Sequence, residues 1–224
     1  MTTLKYYGHA CFSVSDGKTT LLFDPFLNGN PWEIATADQV NADYILVSHA
    51  HADHLGDTVA IAQRTGANII TTAEVCNLVG EQGCQNVSCM HIGGKINFPF
   101  GWVRVTLAFH GSGVPGGHAC GFIVNFNGKV IYFAGDTGLF CDMRLLGELE
   151  AIDYALLPIG NNFTMGAQDA AVAAELLRAK NIVPMHYDSW PVIKQDPVEF
   201  KAMVEKGKSG SNVIIVPPGE SIEL

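Results

Sequence analysis

The chain has 224 residues, of which 48% are hydrophobic and 16% are charged. This length and composition predict one domain over residues 1–224 with a large buried core, and they exclude a disordered chain. The formal net charge of −9 comes from 13 Lys and Arg against 22 Asp and Glu, without a basic cluster. We therefore expect no nucleic-acid partner, because phosphate binding requires grouped Lys and Arg.

The absence of a visible targeting signal and the cysteine usage predict a cytoplasmic protein. No window approaches 18 uninterrupted apolar residues, so no membrane span is expected, and residues 1–5 show no secretory pattern. Six cysteines without a Cys-x-x-Cys pair favour reduced, mostly buried thiols over a disulfide framework. Cys120 and Cys141 are expected to be core thiols. The oligomeric state is not readable, and a homo-oligomer is compatible with the sequence.

The hydrophobic pattern predicts an alternation of strands and helices. Strands are expected over residues 4–7, 11–15, 19–23, 67–71, 87–92, 95–98, 102–109, 122–126, 129–133, 155–159, 182–185 and 213–216. Helices are expected over residues 57–64, 74–81, 140–148, 167–177 and 198–205. Asn127-Gly128 predicts a type I′ hairpin turn. Residues 25–41 form a loop in which Phe26 and Trp32 either face the substrate or fasten the loop to the core, with equal weight.

Two segments in the two halves of the chain have similar sequences. Residues 42–48 read Ala-Asp-Tyr-Ile-Leu-Val-Ser, and residues 152–158 read Ile-Asp-Tyr-Ala-Leu-Leu-Pro. In each half, hairpins precede β-α-β units. This order predicts an α/β fold of two mixed sheets packed face to face with helices outside, in which strand ends from both halves build one site.

Residues 48–57 hold the densest group of side chains that can bind metal. The sequence Ser-His-Ala-His-Ala-Asp-His-Leu-Gly-Asp follows an apolar run, so it lies in the turn after a buried strand. In an extended turn His49 and His51 point the same way, whereas Asp53 and His54 lie where the chain bends into a helix. This spacing predicts one metal held by the first pair and a second held by the other pair. The structural alternative is a polar loop whose histidines cap the next helix, with Asp53 as an N-cap.

This motif resembles the His-x-His-x-Asp-His signature of the metallo-beta-lactamase superfamily. The rest of that family's pattern has matches downstream, each after an apolar run. The resemblance implies that His110 completes the first metal site, that Asp136 bridges the two metals and that His186 completes the second site. It also implies the four-layer αββα sandwich of that superfamily. Zn is the most favoured metal, and Mn, Fe or Ni also accept these ligands.

A narrower resemblance extends over the whole chain. Residues 8–12 (Gly-His-Ala-Cys-Phe), residues 23–26 (Phe-Asp-Pro-Phe) and residues 160–166 (Gly-Asn-Asn-Phe-Thr-Met-Gly) are similar to the small metal-dependent hydrolases of uncharacterised function, the UPF0173-like group, which is related to the ascorbate lactonase-like proteins. This resemblance does not determine the substrate, which depends on the chemistry of the site.

Four further residues are candidates for supporting roles. The resemblance places His9 near the metals, where it contacts the ligands or the substrate, and a turn-stabilising role is equally weighted. Asp24 is expected to be a hydrogen-bond acceptor or a turn residue rather than a ligand. Asn162 and Thr164 precede a helix; Thr164 could cap it, and the helix N-terminus would suit an anionic group of a substrate.

The predicted chemistry is hydrolysis of a small soluble substrate. Two cations bridged by Asp136 and a water would lower the pKa of that water toward about 7, while Asp53 orients the resulting hydroxide and is therefore the catalytic residue. A phosphodiester is favoured, because two metals can hold both the attacking and the leaving oxygen. A lactone or thioester is the alternative, and a non-catalytic sensor that binds metal or ligand is the third reading.

Overall fold

The computed structural model describes residues 1–224, and its strands form two mixed sheets. The first sheet consists of β1 (Thr3–Gly8), β2 (Cys11–Ser15), β3 (Thr20–Phe23), β4 (Tyr44–Leu46), β5 (Asn68–Thr72), β6 (Val87–Met90) and β14 (Ser221–Glu223). The second sheet consists of β7 (Lys95–Phe98), β8 (Gly101–Leu107), β9 (Cys120–Phe126), β10 (Lys129–Phe133), β11 (Tyr154–Pro158), β12 (Asn181–Met185) and β13 (Asn212–Val213).

The helices cover the outer faces of the sheets. They are α1 (Ala52–Leu55), α2 (Thr58–Thr65), α3 (Ala73–Glu81), α4 (Met143–Leu149), α5 (Ala167–Leu177) and α6 (Pro197–Lys206), with a 3₁₀ turn at Pro191–Ile193. Apolar residues of α2 and α3 pack with the first sheet, and α5 and α6 belong to the large core that the two sheets share. The predicted sandwich of two mixed sheets with helices outside is confirmed.

The two sheets repeat one topology. The spatial order is β14-β1-β2-β3-β4-β5-β6 in the first sheet and β13-β12-β11-β10-β9-β8-β7 in the second. In each, antiparallel strands lead into three or four parallel ones. The similarity of residues 42–48 and 152–158 therefore reflects equivalent positions, because β4 and β11 are the corresponding parallel strands.

Equivalent aspartates directly precede these two strands. The Asp43 carboxylate accepts a hydrogen bond from the backbone N–H of Thr20 (2.8 Å), and the Asp153 carboxylate accepts one from Val130 (2.9 Å). Each aspartate ties the start of its parallel strand to the neighbouring strand of the preceding hairpin. The repeated Asp-Tyr pair is thus explained by backbone groups at the sheet edge that need an acceptor.

Several predicted element boundaries differ from the structure. The helix expected from residue 140 begins at Met143, and the strand expected over residues 213–216 is the two-residue β13. The closing strand β14 was not expected, because Ser-Ile-Glu gives too short a pattern, and only pairing with β1 defines it. Asn127 and Gly128 both have positive φ angles, as the type I′ prediction requires. None of the helices is both long and apolar enough to traverse a lipid bilayer.

Candidate metal centre

The candidate ligands lie at one edge of the sandwich, beyond the ends of four strands. The segment after β4 supplies four of them, and the segments after β8, β10 and β12 supply one each. They are His49, His51, Asp53, His54, His110, Asp136 and His186. The structure therefore brings together all seven residues that the sequence analysis proposed as ligands. The first and the last of them are 137 positions apart in the sequence. The polar-loop alternative required capping by a histidine or by Asp53. His51 is the N-cap of α1 but its side chain makes no capping hydrogen bond, and Asp53 lies inside the helix.

The first group contains three histidines. His51 Nδ1 lies 2.9 Å from His49 Nε2 and 3.3 Å from His110 Nε2. The three rings meet edge to face, with centroids 4.6 to 5.1 Å apart. Three ring nitrogens that converge in this way form a donor set that borderline divalent metals accept.

The second group surrounds the Asp136 carboxylate. Asp136 Oδ2 lies 3.1 Å from His186 Nε2, 3.3 Å from His54 Nε2 and 3.5 Å from His110 Nε2. His54 Nε2 is also 3.8 Å from Asp53 Oδ2. Because Asp136 reaches a histidine of each group, it occupies the position between them.

Buried atoms in this second group have no hydrogen-bond partner. They are His54 Nε2, both ring nitrogens of His186 and Asp136 Oδ1. Leaving such polar groups unpaired costs roughly 1–3 kcal/mol each, and buried polar groups in native proteins are normally satisfied. A cation bound between His54 Nε2, His186 Nε2 and the Asp136 carboxylate would satisfy these three groups, although not His186 Nδ1 on the other side of its ring. Two carboxylates with five imidazoles are the donors that Zn, Mn, Fe and Ni accept. The residues present therefore fit the metals that the sequence predicts.

Electrostatics keep most of these groups in the forms that bind metal. Burial, aided by neighbouring histidines, holds the pKa of His49 well below its usual range and lowers that of His110 despite the opposing Asp136 charge. Burial alone would raise the pKa of Asp136, but His54 and His186 outweigh burial and hold the pKa well below its ordinary value, so the carboxylate is ionised. Burial lowers the pKa of His54, but the Asp136 and Asp24 charges outweigh burial and raise it well above its ordinary value. The ionised Asp136 carboxylate, together with Asp24, thus favours a positive charge at the point between these side chains.

Asp24 lies behind the ligands and fixes two of them. It is fully buried, and its carboxylate accepts hydrogen bonds from His54 Nδ1 (2.6 Å), the Ser48 backbone N–H (2.7 Å) and the Ser48 hydroxyl (2.5 Å). The Ser48 oxygen is in turn 2.9 Å from His49 Nδ1. With Nδ1 of both histidines engaged as donors, their Nε2 lone pairs are left for a metal. Asp24 is thus placed as an acceptor for ligands, the first of its two predicted roles.

His9 contacts Asp53 rather than open space. The ring is completely buried, with Nε2 3.1 Å from Asp53 Oδ2 and Nδ1 2.9 Å from the Ser189 hydroxyl. Because a carboxylate only accepts, Nε2 carries the proton and donates to Asp53. Burial and the nearby His186 lower the pKa of His9 to about 4, so the ring is neutral. This geometry supports a contact to a proposed ligand over one to substrate.

Three residues of the site adopt left-handed backbone conformations. The φ angles are +59° at His9, +38° at Asp24 and +55° at His186. Such conformations cost about 1–3 kcal/mol at residues other than glycine and recur at functional sites. The cost is offset locally, since the His9 carbonyl accepts hydrogen bonds from the His186 N–H and the Tyr6 hydroxyl.

Two glycines allow the halves to approach closely at the site. A side chain at Gly135 would lie 2.9 Å from Ser48 Cβ, and one at Gly113 would lie 2.9 Å from the His51 backbone nitrogen. Both glycines also have positive φ angles. The segment that carries Asp136 and the segment after His110 can therefore both pack directly against residues 48–57.

The open part of the site is a cavity of about 240 Å³. Apart from candidate ligands, it is lined by Phe163 and Trp190. Neither residue is predicted from the sequence, because an aromatic in a loop carries no signal of where the loop folds. Asn162 and Thr164, which are predicted, do not line the cavity. Thr164 does not cap α5 either; the N-cap is Gly166, and the Thr164 hydroxyl bonds to the Met165 carbonyl.

The loop aromatics and one cysteine also have defined positions. The Phe26 ring packs beside His9 (5.8 Å) without lining the cavity. Trp32 packs on Gly8 and lines a neighbouring cavity of about 450 Å³ with Trp190.

All six cysteines are free thiols, but Cys141 is exposed, so its assignment to the core was wrong; it precedes α4 and is not covered by the helix.

Comparison with known proteins places this site in a family. Residues 3–186 match the model of the beta-lactamase superfamily domain. A UPF0173 metal-dependent hydrolase from Symbiobacterium thermophilum is 51% identical over 224 residues, and one from Natranaerobius thermophilus is 46% identical over 221; each alignment covers 99% of both chains. The solved structure of Igni18, described as a novel metallo hydrolase from Ignicoccus hospitalis, has a TM-score of 0.91 and 36% identity and covers 99% of this chain and 97% of its own.

The fold and the cluster of histidines and aspartates define a metal-dependent hydrolase. The chain belongs to the metallo-beta-lactamase superfamily and, within it, to the UPF0173 metal-dependent hydrolases. Both family resemblances drawn from the sequence are confirmed.

Proposed function

We propose that two divalent metal ions bind at this site and serve the hydrolysis of a small-molecule substrate. The proposed ligands are His49, His51 and His110 for one ion, Asp53, His54 and His186 for the other, and Asp136 for both. Zn is favoured by the histidine-rich donor set, with Mn, Fe or Ni as alternatives. The observation that carries the proposal is the group of buried nitrogen and oxygen atoms that converge on Asp136 without making a hydrogen bond.

The side chains have separable tasks in this proposal. When bound, divalent ions lower the pKa of a water toward about 7 and polarise the electrophile. Asp53 is half-buried at the cavity and ionised: burial would raise its pKa, but the His9 hydrogen bond and the His54 charge hold it below the ordinary value. We assign it to orient the attacking water or hydroxide, because the lowered pKa keeps it an ionised hydrogen-bond acceptor. His9 holds Asp53 through Oδ2 and donates no second proton, because its Nδ1 faces Ser189.

The lining of the cavity favours an uncharged carboxyl derivative, a lactone or thioester, over the phosphodiester that the sequence analysis ranks first. No Lys, Arg, Asn or Gln lines the cavity, and its walls beyond the candidate ligands are two aromatic rings. A site for an anionic phosphodiester normally adds cationic or amide donors to its metals. The phosphodiester remains the second candidate, because two metal ions by themselves can clamp its attacking and leaving oxygens.

The Asp136→Ala variant tests the two-metal site. We expect the metal content to fall from two ions per chain and the rate to fall at least about 100-fold, because the variant removes the carboxylate that lies between the two histidine groups. Metal content is measured by elemental analysis of dialysed protein, and folding by circular dichroism. Asp142→Ala is the control, since this exposed carboxylate makes no cap hydrogen bond. A folded Asp136→Ala protein with full metal content and activity would refute the proposal.

The substrate class is tested with two substrates on one preparation reconstituted with Zn or with Mn. Initial rates are measured for bis(p-nitrophenyl) phosphate and for a γ-lactone, with Asp136→Ala as the blank. We expect turnover of the lactone above the blank with at least one metal. Turnover of the phosphodiester alone would reverse the order of the two candidates.

A further inference from the structure

Phe163 and Trp190 are the only cavity-lining residues that we do not assign to metal binding. Both are large aromatic residues, and Phe163 is 54% exposed although it lies beside the buried Asp136 and His186. An exposed aromatic ring at the mouth of a cavity is a feature of ligand-binding surfaces, because its burial awaits the ligand.

The backbone holds Phe163 in place. Asn161 and Asn162 both have left-handed conformations, with φ angles of +61° and +52°. Asn161 N–H bonds to the Met165 carbonyl, and Met165 N–H bonds to the carbonyl of Thr137, the residue after Asp136 (both 2.9 Å). The turn that carries Phe163 is therefore fastened directly to the metal-binding segment, and the exposure of the ring does not come from a loose loop.

Trp190 is held from the other side. Its ring packs edge to face on His9, with centroids 4.7 Å apart, and lies 6.2 Å from the Phe26 ring. The preceding Ser189 is bonded to His9. Because His9 also contacts Asp53, the indole is in fixed relation to the proposed catalytic carboxylate.

Beyond the candidate ligands, the walls of the cavity carry no charged side chain that could pair with a charged side group of the substrate. Its volume of about 240 Å³ is below the range of about 300–1,000 Å³ typical of sites for drug-sized ligands, so only a compact group fits. Lys194 lines the neighbouring cavity that shares Trp190, not this one. A carboxylate or phosphate in the substrate's side group would therefore be desolvated without compensation.

We infer that Phe163 and Trp190 clamp a compact apolar group, aromatic or short alkyl, attached next to the hydrolysed bond. They would make the enzyme selective for neutral hydrophobic lactones or thioesters over polar or anionic ones. This inference rests on the proposed function, because the clamp is placed relative to the metal ions. Phe163 and Trp190 are specificity-determining residues in this assignment.

The test uses binding of hydroxamates, which chelate metal ions without being hydrolysed. Calorimetry on the Zn-loaded protein compares acetohydroxamate, phenylacetohydroxamate and the monohydroxamate of succinate. Burial of a phenyl ring should make phenylacetohydroxamate about 10- to 100-fold tighter than acetohydroxamate. The succinate compound, with a carboxylate in that place, should bind no tighter than acetohydroxamate.

Single variants locate the effect. Phe163→Ala and Trp190→Ala should each cut the phenyl preference by about 5-fold or more while leaving the affinity for acetohydroxamate within about 2-fold. Phe109→Ala is the matched control, because Phe109 is 60% exposed and follows the same strand as His110 but does not line the cavity. It should retain the full preference.

The outcomes separate the clamp from the function beneath it. Equal affinity for the phenyl and methyl compounds, or tighter binding of the succinate compound, overturns the clamp and leaves the metal hydrolase intact. A preference that survives both aromatic substitutions also overturns it. Failure of every hydroxamate to bind overturns the proposed two-metal site and the clamp together.

Discussion

Asp24 shows how one buried side chain can govern a site that it does not line. Its carboxylate reaches His54 directly and His49 through Ser48, so it controls which nitrogen of each ring is free. The φ angle of +38° at Asp24 adds a backbone constraint that few residue types tolerate. Asn is one of these types, which makes Asp24→Asn the appropriate substitution.

We expect Asp24→Asn to weaken metal binding by about 10- to 100-fold, the usual loss when a partner behind a histidine ligand is replaced. The amide is a poorer acceptor for His54 Nδ1–H and for two donors of Ser48. Affinity is measured by competition with a chromophoric chelator. Ser48→Ala is the companion variant, since it removes only the link to His49 and should weaken binding less. Unchanged affinity in a folded Asp24→Asn protein would contradict the role given to this carboxylate.

At the level of elements, Asp153 ties the start of β11 to the neighbouring strand β10. Asp153 accepts hydrogen bonds from the Val130 N–H and from Lys180 (2.7 Å). Burial would raise its pKa, but the Lys180 and Val130 hydrogen bonds outweigh burial and lower it. A carboxylate whose pKa is lower in the folded state contributes stability above its unfolded value of about 3.9, and that contribution disappears as the pH falls through the folded value.

We expect Asp153→Ala to lower the free energy of unfolding by about 1–3 kcal/mol at pH 7, because the half-buried N–H of Val130 loses a charged acceptor. The difference from the wild type should shrink as the pH is lowered below about 4. Urea unfolding of the metal-free proteins at several pH values measures it. Lys180→Gln is the control: its side chain is 71% exposed, so loss of the ion pair alone should cost under about 1 kcal/mol. A pH-independent difference would rule out the carboxylate charge as the cause.

For the molecule as a whole, metal binding should stabilise the fold, because the proposed ligands join both sheets and come together only in the folded chain. An ion at 100 times its dissociation constant adds about 2.7 kcal/mol, which corresponds to about 5–10 °C in Tm for a domain of this size. We expect a chelator to lower the Tm of the wild type by at least this amount. Asp136→Ala should show a much smaller chelator effect, and differential scanning calorimetry compares the two. An unchanged wild-type Tm after verified metal removal would argue against metals that bridge the sheets.

Much of the architecture could be predicted from local patterns. Alternating apolar residues, the Asn127-Gly128 turn and the repeated Asp-Tyr segments led to two mixed sheets with helices outside. Elements defined by pairing alone escaped prediction. The strand β14 exists because β1 offers it an edge, and β13 is short because its continuation leaves the sheet. Short segments have little pattern of their own, so distant partners decide their conformation.

The sequence by itself determined the ligand types and their order, since His49, His51, Asp53 and His54 lie within six residues and local geometry already groups them. Only the tertiary structure decided what surrounds them. Asp24 and His9 reach the candidate ligands from residues with left-handed backbone conformations, and Phe163 and Trp190 both line the cavity from loops after different strands of the second sheet. Such neighbours are set by the packing of sheet edges, which no short stretch of sequence encodes. The first four candidate ligands are therefore grouped locally, whereas the other three and the cavity walls depend on the fold.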